Sequence, residues 1–112
     1  WMGFNYLRIR RAAKIVDNEE FESLIRTGQL IDLRDPAEFH RKHILGARNI
    51  PSSQLKTSLA ALRKDKPVLL YENQRAQRVT NAALYLKKQG FSEIYILSYG
   101  LDSWKGKVKV EK

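Results

Sequence analysis

Covalent chemistry needs a nucleophile, a proton carrier or a metal set, and this chain of 112 residues offers few candidates for any of them. Cysteine is absent altogether. That excludes thiol nucleophiles, disulfides and thiolate metal ligands together, and it leaves the redox compartment open. Glu72 follows the apolar run from Val68 to Tyr71, so it is expected at the end of a buried strand. A carboxylate there serves as base or nucleophile when its pKa is suitably tuned. His43, Arg75 and Arg78 are the other groups such a site would use. No paired acid and no cofactor loop accompanies them, and no cofactor is expected. His40 and His43 have a spacing that suits a shared metal, but Arg41 and Lys42 between them oppose a cation, so no metal site is expected.

The elements that must position these groups alternate in type. Asp17 with Glu20 forms a capping box ahead of Phe21, Leu24 and Ile25, and Gly28 follows as a stop. A short strand is predicted from Leu30 to Leu33. Asp35, Pro36 and Glu38 mark a helix start, with Pro36 at its first position and Glu38 reaching back to complete the box. A brief strand from Arg48 to Ile50 ends at Pro51. Ser53 is placed to cap a helix carrying Leu55, Leu59 and Leu62 on one face.

The run from Val68 to Tyr71 is apolar without interruption, as expected of a strand buried on both faces. A polar loop, Glu72 to Gln77, leads to a helix through Ala82, Ala83, Tyr85 and Leu86, ended by Gly90. The last strand is predicted from Glu93 to Leu97, and a closing turn near Leu101 to Trp104 precedes a basic tail. Strands alternating with helices predict a single α/β domain with a mainly parallel sheet of four or five strands and helices on both faces. Ligands of such sheets sit at the carboxyl ends of the strands, which here means the loop after Tyr71.

The net charge is +9, with the densest runs from Arg8 to Lys14, Arg41 to Arg48, Lys87 to Lys88 and Lys105 to Lys109. No segment is long enough to span a bilayer. Yet Trp1, Phe4 and Tyr6 precede Arg8, Arg10, Arg11 and Lys14, which is the pattern of a membrane helix end on its cytoplasmic side. Residues 1–14 are therefore read as a basic arm or juxtamembrane segment, and 15–112 as the domain. The expected location is cytoplasmic, anchored by a preceding transmembrane helix, with the stretch from Arg8 to Lys14 meeting an anionic membrane surface. Nucleic-acid binding is a weaker account of the charge, because no recognition helix, zinc knuckle or aromatic-basic platform accompanies it.

From Asp32 onward the chain resembles the rhodanese-like (sulfurtransferase-fold) family. Asp32-Leu33-Arg34-Asp35-Pro36-Ala37-Glu38-Phe39, followed by His43-Ile44-Leu45-Gly46-Ala47-Arg48-Asn49-Ile50-Pro51, is similar to its D-x-R…E-[FY]…H-I-x-G-A-x-N-I-P signature. Pro67 to Tyr71, Ala82 to Phe91, and Gly100 with Trp104-Lys105-Gly106 extend the match. Asp32, Arg34, Glu38, His43 and Gly46 form its structural frame. Arg34 and Glu38 are expected to pair as an Arg–carboxylate fork. His43 is expected to be structural, bonded to the backbone, since no nucleophile is there to serve. Gly46 is expected to make a tight turn.

The resemblance implies a reactive site at which a Tyr-Cys strand end presents a thiolate to backbone N–H groups at a helix start. In this chain Tyr71 is followed by Glu72. Aligned from the strand, Glu72 stands at the cysteine position; aligned back from Ala82, Asn73 does, and the loop holds one extra residue. Gln74-Arg75-Ala76 replaces the usual loop glycine, and Arg78-Val79 the usual Arg-Ser. The loop from Glu72 through Asn73, Gln74, Arg75, Ala76 and Gln77 to Arg78 is thus read as a vestigial active site, whose remaining partner is a protein or an anionic ligand. The expected function is a catalytically inactive, membrane-associated domain with a binding or regulatory role. An enzyme using non-cysteine chemistry at Glu72–Arg78 and a nucleic-acid module are the alternatives.

Overall fold

The computed structural model describes residues 13–73 and 77–110. Gln74, Arg75 and Ala76 of the loop, and the basic arm up to residue 12, lie outside the described residues. The elements in chain order are β1 (Lys14–Val16), α1 (Asn18–Ile25), β2 (Gln29–Asp32), α2 (Pro36–Arg41), β3 (Lys42–Ile44), β4 (Arg48–Asn49), β5 (Val68–Tyr71), α3 (Gln77–Lys88), β6 (Ile94–Leu97) and β7 (Val108–Val110). Turns of 3-10 helix lie at Ser52–Gln54, Leu59–Ala61 and Leu101–Ser103.

Five strands form one sheet in the order β1-β6-β5-β2-β4, and every neighbouring pair in it is parallel. The all-buried strand β5 explains why helices cover both faces. Its side chains alternate, so Val68 and Leu70 join one core with Val79, Ala82, Ala83 and Leu86 of α3. Leu69 and Tyr71 join the other core with Phe21 of α1 and Leu101. The expected α/β architecture is therefore present, on a fully parallel main sheet.

Two strands were absent from the sequence reading. Lys14 opens β1, although residues up to 14 were read as arm, and β7 lies within the segment read as a basic tail. β7 pairs with β3 as an antiparallel two-stranded ribbon.

The helix expected after Ser53 does not form. Ser58 N and the Thr57 hydroxyl both turn onto the Gln54 carbonyl, at 3.1 and 2.9 Å. The Ser58 bond spans one helical turn, but Leu55 N and Leu62 N bond to carbonyls three residues back, at 3.4 and 3.1 Å, and the segment is left as two 3-10 turns. Leu55 and Leu62 are nonetheless buried, with Leu59 packed against the same core. At α1 the Asp17 carboxylate accepts from Glu20 N at 2.9 Å, as expected. At α2 Pro36 opens the helix but the Asp35 side chain makes no capping bond. Glu38 is engaged elsewhere, as described next.

Candidate functional site

Parallel pairing of β2 with β5 places Asp32 opposite Tyr71, so both strands end side by side. Asp32 is fully buried, and a buried carboxylate must be paired and hydrogen-bonded. Its Oδ1 accepts from Arg34 N (2.9 Å) and Nε (3.0 Å). Its Oδ2 accepts from Arg34 Nη2 (2.8 Å) and the Tyr71 hydroxyl (2.6 Å). The same hydroxyl accepts from Ile44 N at 3.0 Å. Burial, then the Asp32 charge and the bond to it, push the Tyr71 pKa far above the ordinary tyrosine range. For Arg34, burial alone would lower the pKa, but the hydrogen bond and charge of Asp32 outweigh it and the net shift is upward.

This arrangement corrects the expected Arg34–Glu38 fork. The ion pair of Arg34 is with Asp32. The reason is burial: Asp32 has no other cation within the core, whereas Glu38 lies one turn into α2. Arg34 Nη1 instead donates to Asn73 Oδ1 at 3.0 Å, and Asn73 Nδ2 donates to Glu38 Oε2 at 2.8 Å. Asn73 thus stands between the two residues that were expected to meet. Arg34 Nη2 also donates to the Lys42 carbonyl. Asn49 Nδ2 ties β4 to the carbonyls of Asp32 (3.1 Å) and Arg34 (2.9 Å).

Glu72, the other loop candidate, points to a different partner. It is buried, and its Oε2 accepts from Val79 N at 2.9 Å. Val79 is the third residue of α3, so its N–H is one of the amides that a helix start leaves unpaired, and the helix dipole favours negative charge there. The backbone of the loop entry is fixed as well. Glu72 O accepts from Leu101 N (2.8 Å), and Asn73 O from Asp102 N (3.0 Å). Gly100 makes that approach with φ +71, and a Cβ there would lie 2.4 Å from Asn73 O.

His43 is bonded to the backbone. Its Nδ1 lies 2.7 Å from the Phe39 carbonyl, which only accepts, so Nδ1 carries the proton. Its ring stacks on Phe39 with centroids 3.8 Å apart. Gly46 turns the chain at φ +92. Arg78 is exposed on the first turn of α3, and Gln77 Nε2 donates along the helix to Asn81 Oδ1 at 2.8 Å. Among the described residues no three His, Asp or Glu side chains gather as a metal set. Tyr71, Asn49 and Leu101 are site residues that the sequence reading did not single out. Tyr71 had one visible sign, a hydroxyl closing an apolar run.

Comparison with known proteins accords with this geometry. The model of the rhodanese-like domain matches residues 17–107. Uncharacterized protein YqhL of Bacillus subtilis is 47% identical over 112 residues, covering 100% of this chain and 88% of that protein. Thiosulfate sulfurtransferase GlpE of Stutzerimonas stutzeri is 35% identical over 95 residues, covering 82% of this chain and 84% of that one. The crystal structure of a rhodanese-related protein from Thermoplasma volcanium superposes with a TM-score of 0.78 at 24% identity, over 88% of this chain and 99% of the other. On its fold and its family match, the chain belongs to the rhodanese-like domain family.

Proposed function

We propose that this rhodanese-like domain transfers no sulfur and acts by binding, as a regulatory module held at the cytoplasmic face of a membrane. One observation carries the reading: a buried carboxylate, Glu72, is bonded to Val79 N at the helix start, and Glu72 and Asn73 are the two positions at which the family resemblance would place the reactive sulfur. Sulfur transfer requires a thiolate to take the outer sulfur of thiosulfate, releasing sulfite, and a cyanide to remove that sulfur from the persulfide. No residue of the chain supplies a thiol. Glu72 Oε2 already accepts from the Val79 amide that an incoming anion would use. The 72–78 loop is therefore read as a surface for a protein partner in preference to a small anion.

The membrane half of the reading rests on Trp1, Phe4 and Tyr6 followed by Arg8, Arg10, Arg11 and Lys14, and on the +9 charge. No helix among the described residues is long and apolar enough to cross a membrane, so the anchor would be a helix preceding Trp1 in the native protein. Recovery of native full-length protein in the soluble fraction without detergent would refute the anchor.

The catalytic half is tested by thiocyanate formation from thiosulfate and cyanide. The expected rate is background, and robust turnover would overturn the reading. Glu72→Cys is expected to restore little activity, because Asn73 is held by Arg34 and Glu38 and the loop has no glycine with which to gather its amides. Robust rescue would show instead that the anion cradle is intact.

A further inference from the structure

The fold brings together two basic runs that are far apart in sequence. Across the β3–β7 ribbon Lys42 faces Val110, His43 faces Lys109, and Ile44 faces Val108. The ladder continues one step further, with Leu45 N donating to Lys107 O at 3.1 Å. Strand side chains alternate between faces. Ile44 and Val108 turn into the core, so Leu45, Lys107 and Lys109 stand on the outward face, and all three are exposed. Leu45 is 50% exposed on that face, whereas Val110, 54% exposed, stands on the opposite face with Ile44 and Val108.

Among the described residues the cations of this ribbon have no carboxylate partners. Ion pairs among the described residues are Lys14–Glu20, Arg34–Asp32 and Arg63–Asp65. Arg41, Lys42, Lys107 and Lys109 take part in none of them. Glu19 and Glu22 of α1 border the groove beside Leu45 and Lys107 without pairing to either lysine. Unpaired like charges repel, and exposed aliphatic side chains order water; both costs are relieved at an anionic lipid interface. Phosphates there neutralise Lys107 and Lys109 while the Leu45 side chain enters the headgroup boundary.

We propose that the β3–β7 ribbon is a membrane-docking surface that lays the folded domain on anionic phospholipid headgroups. The proposal rests on the membrane reading above but does not use the N-terminal arm. A lipid partner is favoured over nucleic acid because base stacking needs an open ring, and the one ring on the ribbon, His43, is already stacked on Phe39.

The test uses the 112-residue chain in flotation with phosphatidylcholine vesicles, with and without about one-third phosphatidylglycerol, at ionic strength of about 0.1 M. Binding is expected only with the anionic lipid. Lys107→Gln/Lys109→Gln is expected to weaken it about 30-fold, roughly fivefold for each lysine near the surface. Leu45→Ser, which alters no main-chain bond, is expected to weaken it less, and provides a second variant if the double one unfolds on melting. If the ribbon variants bind like wild type while Arg8→Gln/Arg10→Gln/Arg11→Gln does not, the ribbon proposal fails and the arm reading stands. The reverse result sustains the ribbon and removes the arm. Equal binding to neutral vesicles, no binding at all, or tighter binding to single-stranded RNA at the same salt would each overturn the proposal.

Discussion

Replacing Tyr71 with Phe removes one oxygen from the junction of β2, β5 and β3 while leaving the ring to fill its place. That oxygen donates to Asp32 at 2.6 Å and accepts from Ile44 N at 3.0 Å, in a side chain with no solvent exposure. A hydrogen bond to a charged group contributes about 1.5–3 kcal/mol, and a buried N–H left without a partner costs about 1–3 kcal/mol. Taking the lower part of each range gives about 3 kcal/mol of lost stability. For a domain of this size that lowers Tm by about 12 °C, at roughly 4 °C per kcal/mol. In urea the midpoint should fall by about 2 M if m is about 1.5 kcal/mol/M. The effect also depends on pH. Because the folded state raises the Tyr71 pKa, the stabilisation is complete below the unfolded value of about 10 and declines as pH rises above it. Wild type should lose on the order of 1 kcal/mol from this group between neutral pH and pH of about 11, and Tyr71→Phe should lack that component. Circular dichroism melts in urea at both pH values measure it. A stability difference below about 1 kcal/mol, unchanged with pH, would refute the hydroxyl's role in joining the three strands.

Glu72→Ala should lose about 1–2 kcal/mol by leaving Val79 N uncapped, while Glu72→Gln, which keeps an acceptor oxygen, should lose less. Equal urea midpoints for the two would show that the capping bond contributes nothing. Gly100→Ala forces a Cβ to within 2.4 Å of Asn73 O on a left-handed backbone and should cost about 2 kcal/mol or more. Hydrogen exchange at Leu101 and Asp102 should accelerate with it, and an unchanged rate would mean that the clamp is not where the strain falls.

What the sequence disclosed, and what it concealed, divides along local and non-local lines. Val68 to Tyr71 was legible because a strand buried on both faces is apolar at every position. The α3 helix was legible from its apolar face, and His43 and Gly46 from the absence of a nucleophile and the need for a turn. β1 and β7 were not, because three-residue strands carrying exposed Lys14 and Lys109 leave too little pattern to distinguish from basic coil. Their partners are distant in sequence, β6 for β1 and β3 for β7. The partner of Arg34 was misjudged for a related reason. Asp32 and Glu38 are both near in sequence, and only the depth of β2 in the sheet decides between them. Likewise, nothing before the fold is known reveals that the Glu72 side chain meets Val79 while that of Asn73 turns to Arg34.

The strand order also has a consequence in time. Among the described residues β1 pairs only with β6, the strand that is completed at Leu97. At a synthesis rate of 5–20 residues per second, the interval between the emergence of Val16 and of Leu97 is about 4–16 s. Throughout it Lys14–Val16 has no strand to join, and Val16 and Phe21, both buried in the finished domain, lack the Leu97 side of their core. The first strand of this domain to leave the ribosome is thus among the last to be secured, and it stays accessible to membrane or chaperone until nearly the whole domain has followed it.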